Sequence, residues 1–251
     1  MLAYSQFGNS AAPRVMLVHG LYGSGRNWGM IAKKLSDSFH VTTVDLRNHG
    51  DSPRTQTHSY PDMADDLAAL IAHLGAPTHL MGHSMGGKAA MVLALHRPEL
   101  INRLVIADIA PVAYSHSQMP FIDAMRAVDL DVVTRRSEAE AQLAAQGVEP
   151  ALCSFFTQSL DIAGKRWKLN LNTLAKEMPQ IMSFPAVTGH FEGPALFLTG
   201  SNSDYVLPEH RARIRALFPQ ARIAKLKDAG HWLHAEQPRA FEAALRGFLH
   251  A

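Results

Sequence analysis

The stretch T-H-L-M-G-H-S-M-G-G-K, residues 78–88, places a G-x-S-x-G pattern where a predicted strand passes into a predicted helix. The apolar run from Thr78 to Gly82 predicts the strand, and the run from Met85 to His96 predicts the helix. A serine at such a junction is held clear of the sheet at the first turn of the helix. Backbone N–H groups there favour developing negative charge. The sequence therefore predicts that Ser84 is a nucleophile.

Glycines two positions before and two positions after the serine support this interpretation. A sharp strand-to-helix turn brings these positions so close together that larger side chains would collide, and Gly82 and Gly86 meet the requirement. The alternative is that the pattern arose by chance and that Ser84 only caps the helix. The flanking strand and helix favour the nucleophile.

Strands and helices alternate on both sides of this stretch. The predicted strands run from Arg14 to His19, His40 to Asp45, Thr78 to Gly82, Asn102 to Ala107, Pro194 to Gly200 and Arg222 to Leu226. The predicted helices run from Asn27 to Leu35, Asp62 to Leu74, Met85 to His96, Pro208 to Phe218 and Glu236 to Leu249, with Asp62 as a cap. Strands joined by helical crossovers form parallel sheets. The fold class is therefore α/β, with a mostly parallel central sheet flanked by helices.

The alternation stops after Asp108 and resumes only at Pro194. Residues 111–190 read as several helices and loops with no convincing strand, so we expect an inserted helical cap. The α/β core would then comprise residues 1–110 and 191–251. A chain of 251 residues is near the upper limit that one hydrophobic core serves, which fits one domain with an insertion better than two domains.

The partners of Ser84 are predicted from loops that follow other strands. His231 lies in a short loop after the last strand, at the sheet edge where open α/β folds place their ligands, and an imidazole there can accept and return the serine proton. The backbone N–H groups of Leu21 and Met85 are the expected oxyanion donors, each worth about 3 kcal/mol of transition-state stabilisation. His19 is interpreted as structural.

These segments together resemble the α/β-hydrolases, and within them the YbfF-type esterases and the mitochondrial abhydrolase-domain protein eleven. The segments that carry the resemblance are H-G-L-Y-G-S at residue 19, D-L-R-N-H-G-D-S-P at 45, G-H-S-M-G-G-K at 82, D-I-A-P-V at 108 and A-G-H-W-L-H-A-E at 229. The resemblance extends over the whole chain. It implies an α/β-hydrolase fold with a helical cap over the site, hydrolysis of acyl esters or thioesters, and no cofactor.

The acid that orients His231 has two candidates. Most α/β-hydrolases place it after the strand that here ends at Gly200, in a G-x-x-D pattern, but the fourth position is Ser203 and Asp204 is one residue late. Asp108 stands at the end of the preceding core strand. The resemblance to the YbfF-type group implies that the acid lies at this alternative position. We favour Asp108, with Ser203 as a possible hydrogen-bond partner and Asp204 as the alternative acid.

Apolar side chains of the cap are expected to cover an acyl pocket, with Tyr22, Met85 and Trp232 among its lining residues.

Three further interpretations concern residues near the motifs. His83 is expected to point away from the site, and His234 to be a surface residue at a helix start. Lys88 is expected to pack its stem on the protein and keep its head in water, with a supporting contact near the site as the alternative.

The amino-acid composition excludes several other classes of protein. A net charge of +2 with scattered basic residues gives no concentrated basic stripe, which disfavours nucleic-acid binding. The single cysteine, Cys153, excludes an internal disulfide and a cysteine-based metal cluster, and it is expected to be a buried, inert thiol. Neither a signal peptide nor a membrane span is evident, so we expect a soluble cytoplasmic protein that needs no metal.

The sequence thus predicts a serine esterase or thioesterase that hydrolyses small to medium acyl groups through a Ser84 acyl-enzyme. A carbon–carbon bond hydrolase and a cofactor-free peroxidase remain open, because both use the same three residue types in a differently shaped pocket. A non-catalytic ligand-binding module is the alternative outside enzymes. The sequence predicts neither the natural acyl group nor the oligomeric state.

Overall fold

The computed structural model describes residues 1–75 and 77–251, and a seven-stranded sheet forms the centre of this part of the chain. The strands are β1 (Tyr4–Phe7), β2 (Arg14–Val18), β3 (His40–Val44), β4 (Thr78–His83), β5 (Ile101–Ala107), β6 (Leu160–Asp161), β7 (Arg166–Trp167), β8 (Ala195–Gly200) and β9 (Ala221–Leu226). The sheet has the order β1-β3-β2-β4-β5-β8-β9. Every neighbouring pair from β3 to β9 is parallel. The predicted α/β class is confirmed.

Strand β1 was not predicted. It pairs antiparallel with β3 at the edge of the sheet, with Tyr4 opposite Val44. Its sequence Y-S-Q-F is mostly exposed and lacks the apolar run of a buried strand. Pairing with an existing edge, rather than an apolar pattern of its own, makes this segment a strand.

Helices cover both faces of the sheet. They are α1 (Gly29–Leu35), α2 (Tyr60–Leu74), α3 (Met85–His96), α4 (Met119–Arg126), α5 (Arg136–Ala145), α6 (Pro150–Thr157), α7 (Leu171–Lys176), α8 (Met178–Met182), α9 (His210–Leu217), α10 (Leu233–Glu236) and α11 (Pro238–Leu249). Alternate residues of the strands enter separate hydrophobic cores: Leu17 packs with α1 and α11, whereas Met16 and Val18 pack with α2, α3 and α9. This alternation follows from the period of two in a strand.

Four helix starts differ from the predictions by two residues each: α1 begins at Gly29, α2 at Tyr60, α9 at His210 and α11 at Pro238. Helix α2 begins at Tyr60, and its cap is Ser59, whose hydroxyl accepts a hydrogen bond from the Asp62 amide at 3.2 Å. Asp62 is the third helical residue and returns a bond to Ser59, as in a capping box. The last helix, α11, begins at Pro238 rather than at Glu236, and the short helix α10 precedes it.

The segment between β5 and β8 contains helices α4 to α8. It also contains a short antiparallel ladder of β6 and β7, with Leu160 opposite Trp167, so the expectation of no strand there was wrong. Two-residue strands carry too few residues to show a period in the sequence. Cys153 in α6 is buried, as expected. No helix in residues 1–75 or 77–251 has both the length and the apolar character needed to cross a membrane.

Candidate active site

Ser84 lies on the turn between β4 and α3, in a backbone conformation with φ of 52°. Positive φ is unusual for a residue with a side chain and marks a strained turn. The turn is held by the Ser84 amide, which donates to Ala107 O at 3.0 Å. A Cβ on Gly82 would overlap the Gly86 carbonyl, and a Cβ on Gly86 would overlap the His19 carbonyl. The glycines are therefore required by the close approach of backbone segments, as the sequence pattern indicated.

A continuous chain of hydrogen bonds joins Ser84, His231 and Asp108. The distance from Ser84 Oγ to His231 Nε2 is 3.0 Å, and the distance from His231 Nδ1 to Asp108 Oδ2 is 2.8 Å. The carboxylate accepts, so Nδ1 carries the proton and Nε2 is left free to accept the serine proton. These residues come from loops after β4, β9 and β5, which end at the same edge of the parallel sheet.

Asp108 is completely buried, and its carboxylate is surrounded by donors. Oδ1 accepts from the Thr199 hydroxyl at 2.7 Å and from the Gly200 amide at 3.0 Å. Oδ2 accepts from the Ser203 hydroxyl as well as from His231. These bonds compensate for the loss of water around the buried charge and fix the direction of the carboxylate.

Asp204 is exposed, and within the described residues it makes no hydrogen bond to His231. The sheet explains the difference between the two acids. Strand β5 is next to β8, so the residue that follows β5 lies directly beside the loop after β8. Of the two candidate acids, the structure brings Asp108 to His231, and Ser203 to Asp108.

The loop after β2 brings the Leu21 amide close to Ser84. A Cβ on Gly20 would lie 3.2 Å from the Ser84 Cβ, so the two backbone segments are in contact. Within residues 1–75 and 77–251, neither the Leu21 N–H nor the Met85 N–H donates to another group of the protein. Two backbone donors beside the serine hydroxyl can stabilise an oxyanion.

Two neutral histidines fix the conformation of this loop. His19 donates from Nδ1 to Gly20 O at 2.7 Å and accepts at Nε2 from the Leu46 amide at 2.9 Å. His49 accepts at Nε2 from the Tyr22 amide at 3.2 Å. Burial lowers the pKa of His19 to about 4 and that of His49 to about 3. His19 is therefore structural, as expected, and His49 holds this loop to the loop after β3.

The sequence analysis did not predict the contacts that aromatic side chains make around His231. Tyr205 stacks on the His231 ring at 3.8 Å between centroids and 18° between planes. His83 bonds to His231 O at 2.8 Å, and it lines the cavity rather than pointing away. His234 is the second residue of α10, so it lies at a helix start as expected. Its side chain is part-buried against Trp28 rather than on the surface. Burial lowers the pKa of His234 to about 4. No periodic signal in the sequence marks these contacts, because they join separate loops.

Ser84 opens into a cavity of about 260 Å³ between the sheet edge and the segment of α4 to α8. Tyr22, Met85 and Trp232 line it, and the segment contributes apolar residues that include Phe121, Leu152, Phe155, Phe156, Ile181 and Met182. A cavity with apolar walls and a few polar groups at one end suits a small organic ligand.

Lys88 departs most from its predicted environment. The sequence indicated a solvated head, but the side chain is only 1% exposed and lines the cavity. Its ammonium donates to the carbonyls of Met182 and Ser183, at the end of α8. Desolvation lowers the pKa of Lys88 to about 7. Within the described residues, no group of three or more His, Cys, Asp or Glu is arranged to hold a metal ion.

Known proteins resemble this chain over almost its whole length. The mouse protein called sn-1-specific diacylglycerol lipase ABHD11 is 43% identical over 253 residues, which cover 96% of this chain and 82% of the mouse protein. Esterase YbfF of Escherichia coli K12 is 38% identical over 251 residues, covering 98% of this chain and 96% of the relative. A solved structure of a marine microorganism esterase superposes with a TM-score of 0.93 at 35% identity and covers 98% of both chains. The model of the alpha/beta hydrolase family matches residues 15–244, and the chain belongs to this family.

Proposed function

We propose that this protein is a serine hydrolase that cleaves carboxylic esters, with Ser84 as nucleophile, His231 as base and Asp108 as the orienting acid. The hydrogen-bonded chain from Asp108 through His231 to Ser84, at the floor of an apolar cavity, carries this proposal. The relatives support the same class, since their names describe an esterase and a diacylglycerol lipase.

The reaction would proceed in two halves. Ser84 Oγ attacks the acyl carbon while its proton passes to His231 Nε2, and the carbonyl oxygen becomes an oxyanion beside the Leu21 and Met85 amides. The tetrahedral intermediate collapses, the bond to the leaving oxygen breaks, and His231 returns the proton to that oxygen. Water then attacks the acyl-enzyme with His231 again as base, which releases the acid and restores Ser84.

Asp108 holds the His231 tautomer and stabilises the imidazolium during both halves. The Thr199, Gly200 and Ser203 donors hold the carboxylate in place, with Oδ2 aimed at Nδ1. Tyr205, stacked on the imidazole, limits rotation of the ring away from Ser84. The proposed role of each of these residues thus follows from its contacts with His231 or with Asp108.

Residues 111–190 would act as a cap that encloses the acyl group. Hydrogen bonds across the cavity support this role: the Tyr22 hydroxyl donates to Gln118 O at 2.9 Å, and the Ser159 hydroxyl donates to Tyr22 O at 3.1 Å. A cavity of about 260 Å³ fits a small to medium acyl chain. Thioesters with the same acyl group offer the same carbon to Ser84, so the proposal includes them. A cytoplasmic location stays a prediction.

The test is hydrolysis of matched oxygen esters and thioesters, from acetyl to palmitoyl, by the wild type and by Ser84→Ala. We expect Ser84→Ala to lower kcat by about 10⁴-fold or more. Ser115→Ala changes an exposed serine beside the cavity and serves as the control. Labelling of the wild type, but not of Ser84→Ala, by a fluorophosphonate would confirm an activated serine.

Turnover that persists in Ser84→Ala would contradict the proposal. Absence of turnover with every ester, together with labelling of Ser84, would indicate a different reaction at the same residues, such as carbon–carbon bond hydrolysis. Absence of both turnover and labelling would indicate a binding module.

A further inference from the structure

A buried lysine, Lys88, lines the cavity above Ser84. Lys88 is the single lysine or arginine among the described residues that line the cavity, and no aspartate or glutamate lines it. The histidines that line it deep inside, His19 and His83, are kept neutral because burial lowers the pKa of each. The described wall of this largely apolar cavity thus has one lysine and no carboxylate.

The surroundings of the Lys88 ammonium leave its charge without a counter-ion. Its bonds to Met182 O and Ser183 O measure 3.3 Å and 2.6 Å, and both acceptors are neutral carbonyls. The rings of Tyr114 and Tyr60 lie 4.7 Å and 5.6 Å from Nζ. Within residues 1–75 and 77–251, no carboxylate lies within ion-pair distance of Nζ. An ammonium has three N–H donors, and the two carbonyls accept from two of them.

Such an arrangement is costly if it serves only to attach α8 to α3. Removing an ammonium from water without pairing it is strongly unfavourable, and here desolvation lowers its pKa to about 7. A neutral donor could bond to the same carbonyls without this cost. An anion brought in by the ligand would favour the charged form and could accept from the third N–H of the ammonium.

We propose that Lys88 is a specificity residue for acyl groups that end in a carboxylate, so that the preferred substrates are half-esters or half-thioesters of short dicarboxylic acids. The proposal rests on Ser84 being the nucleophile, as argued above. The ester end of the substrate would lie at Ser84, and its free carboxylate would pair with the Lys88 ammonium inside the cavity.

Helix geometry limits the length of such a substrate. The Lys88 amide donates to Ser84 O at 3.1 Å, so the two residues are one helical turn apart on the same side of α3. One turn corresponds to about 5.4 Å along the axis. A chain of a few methylene groups spans this scale, whereas a long hydrocarbon would have to pass the ammonium without pairing with it.

The test compares activated aryl half-esters of dicarboxylic acids of four to seven carbons with neutral aryl esters of the same chain length. We expect the wild type to favour the half-ester by about 10- to 100-fold in kcat/KM at the best length, the effect of one charge-assisted hydrogen bond. In Lys88→Met the ratio should fall to about one or below, mostly through a higher KM for the half-ester. Lys33→Met removes an exposed lysine and controls for net charge.

A wild-type ratio at or below one would overturn the proposal, and this comparison needs no variant. A ratio that survives in Lys88→Met would also overturn it, because another group would then recognise the carboxylate. Equal losses for both esters, with the ratio kept, would show that Lys88 acts only as a tether between α3 and α8. Failure of the proposed function is distinguishable, since neither ester would then show Ser84-dependent turnover.

Discussion

Lowering the pH from 7 to 5 should destabilise this protein through histidines that are buried in their neutral form. His19 and His49 are each 1% exposed, and both nitrogens of each ring are used in hydrogen bonds that require the neutral tautomer. Burial lowers the pKa of His19 to about 4 and of His49 to about 3, below the ordinary value of 6.5. The unfolded chain therefore binds protons at pH 5 that the native state does not, and stability falls as the pH falls.

The magnitude follows from the pKa differences. One pH unit across the window between the unfolded and native pKa changes the free energy of unfolding by about 1.4 kcal/mol per group. From pH 6.5 to pH 5 each of the two histidines should therefore cost about 2 kcal/mol, or about 4 kcal/mol together. This loss is a large fraction of the stability of an ordinary domain. Above pH 6.5 the contribution is fully present.

The assay is urea unfolding at pH 7 and pH 5 for the wild type and His49→Gln. Glutamine has a donor and an acceptor for the Arg47 carbonyl and the Tyr22 amide, but it does not titrate. We expect the loss between the two pH values to be smaller by about 2 kcal/mol in His49→Gln. His73→Gln, on an exposed histidine, should leave the wild-type loss unchanged. Equal pH dependence in all these proteins would refute the reasoning.

The choice of acid and the geometry of the serine turn give two more predictions. Asp108→Asn should lower kcat by about 10³- to 10⁴-fold, whereas Asp204→Asn should leave it within about threefold of the wild type; the reverse result would transfer the acid role to Asp204. Gly86→Ala should destabilise the protein by about 3 kcal/mol in urea unfolding, because its Cβ would overlap the His19 carbonyl, and a loss below about 0.5 kcal/mol would show that the turn can relax.

The sheet was predictable because its signals are local. Each buried parallel strand appears in the sequence as a short apolar run before a glycine or a polar loop, and six such runs predicted β2, β3, β4, β5, β8 and β9. Strand β1 has no such run, since its conformation depends on the edge of β3 rather than on its own side chains. Helix starts were less certain, because Ser59 and Asp62 both suit a cap and only their mutual bonds distinguish them.

The site was predictable to the extent that it depends on strand ends. Parallel strands end at one edge, so the loops after β4, β5 and β9 lie near one another, and these loops hold Ser84, Asp108 and His231. No such rule predicts the position of Tyr205. It reaches His231 from the loop after β8, and a tyrosine in an irregular loop gives no sign of the ring on which it will stack.

Lys88 shows why a local pattern cannot predict burial. Lysine on the first turns of a helix is normally solvated, and α3 alone gives no reason to expect otherwise. Lys88 is buried because Met182 and Ser183, about a hundred residues away in the sequence, pack over it. Their backbone carbonyls accept hydrogen bonds from its ammonium group. The same segment that removes water from Lys88 also closes the cavity over Ser84. Enclosure of the cavity and desolvation of Lys88 therefore have one structural cause, so substitutions that loosen this segment should weaken both together.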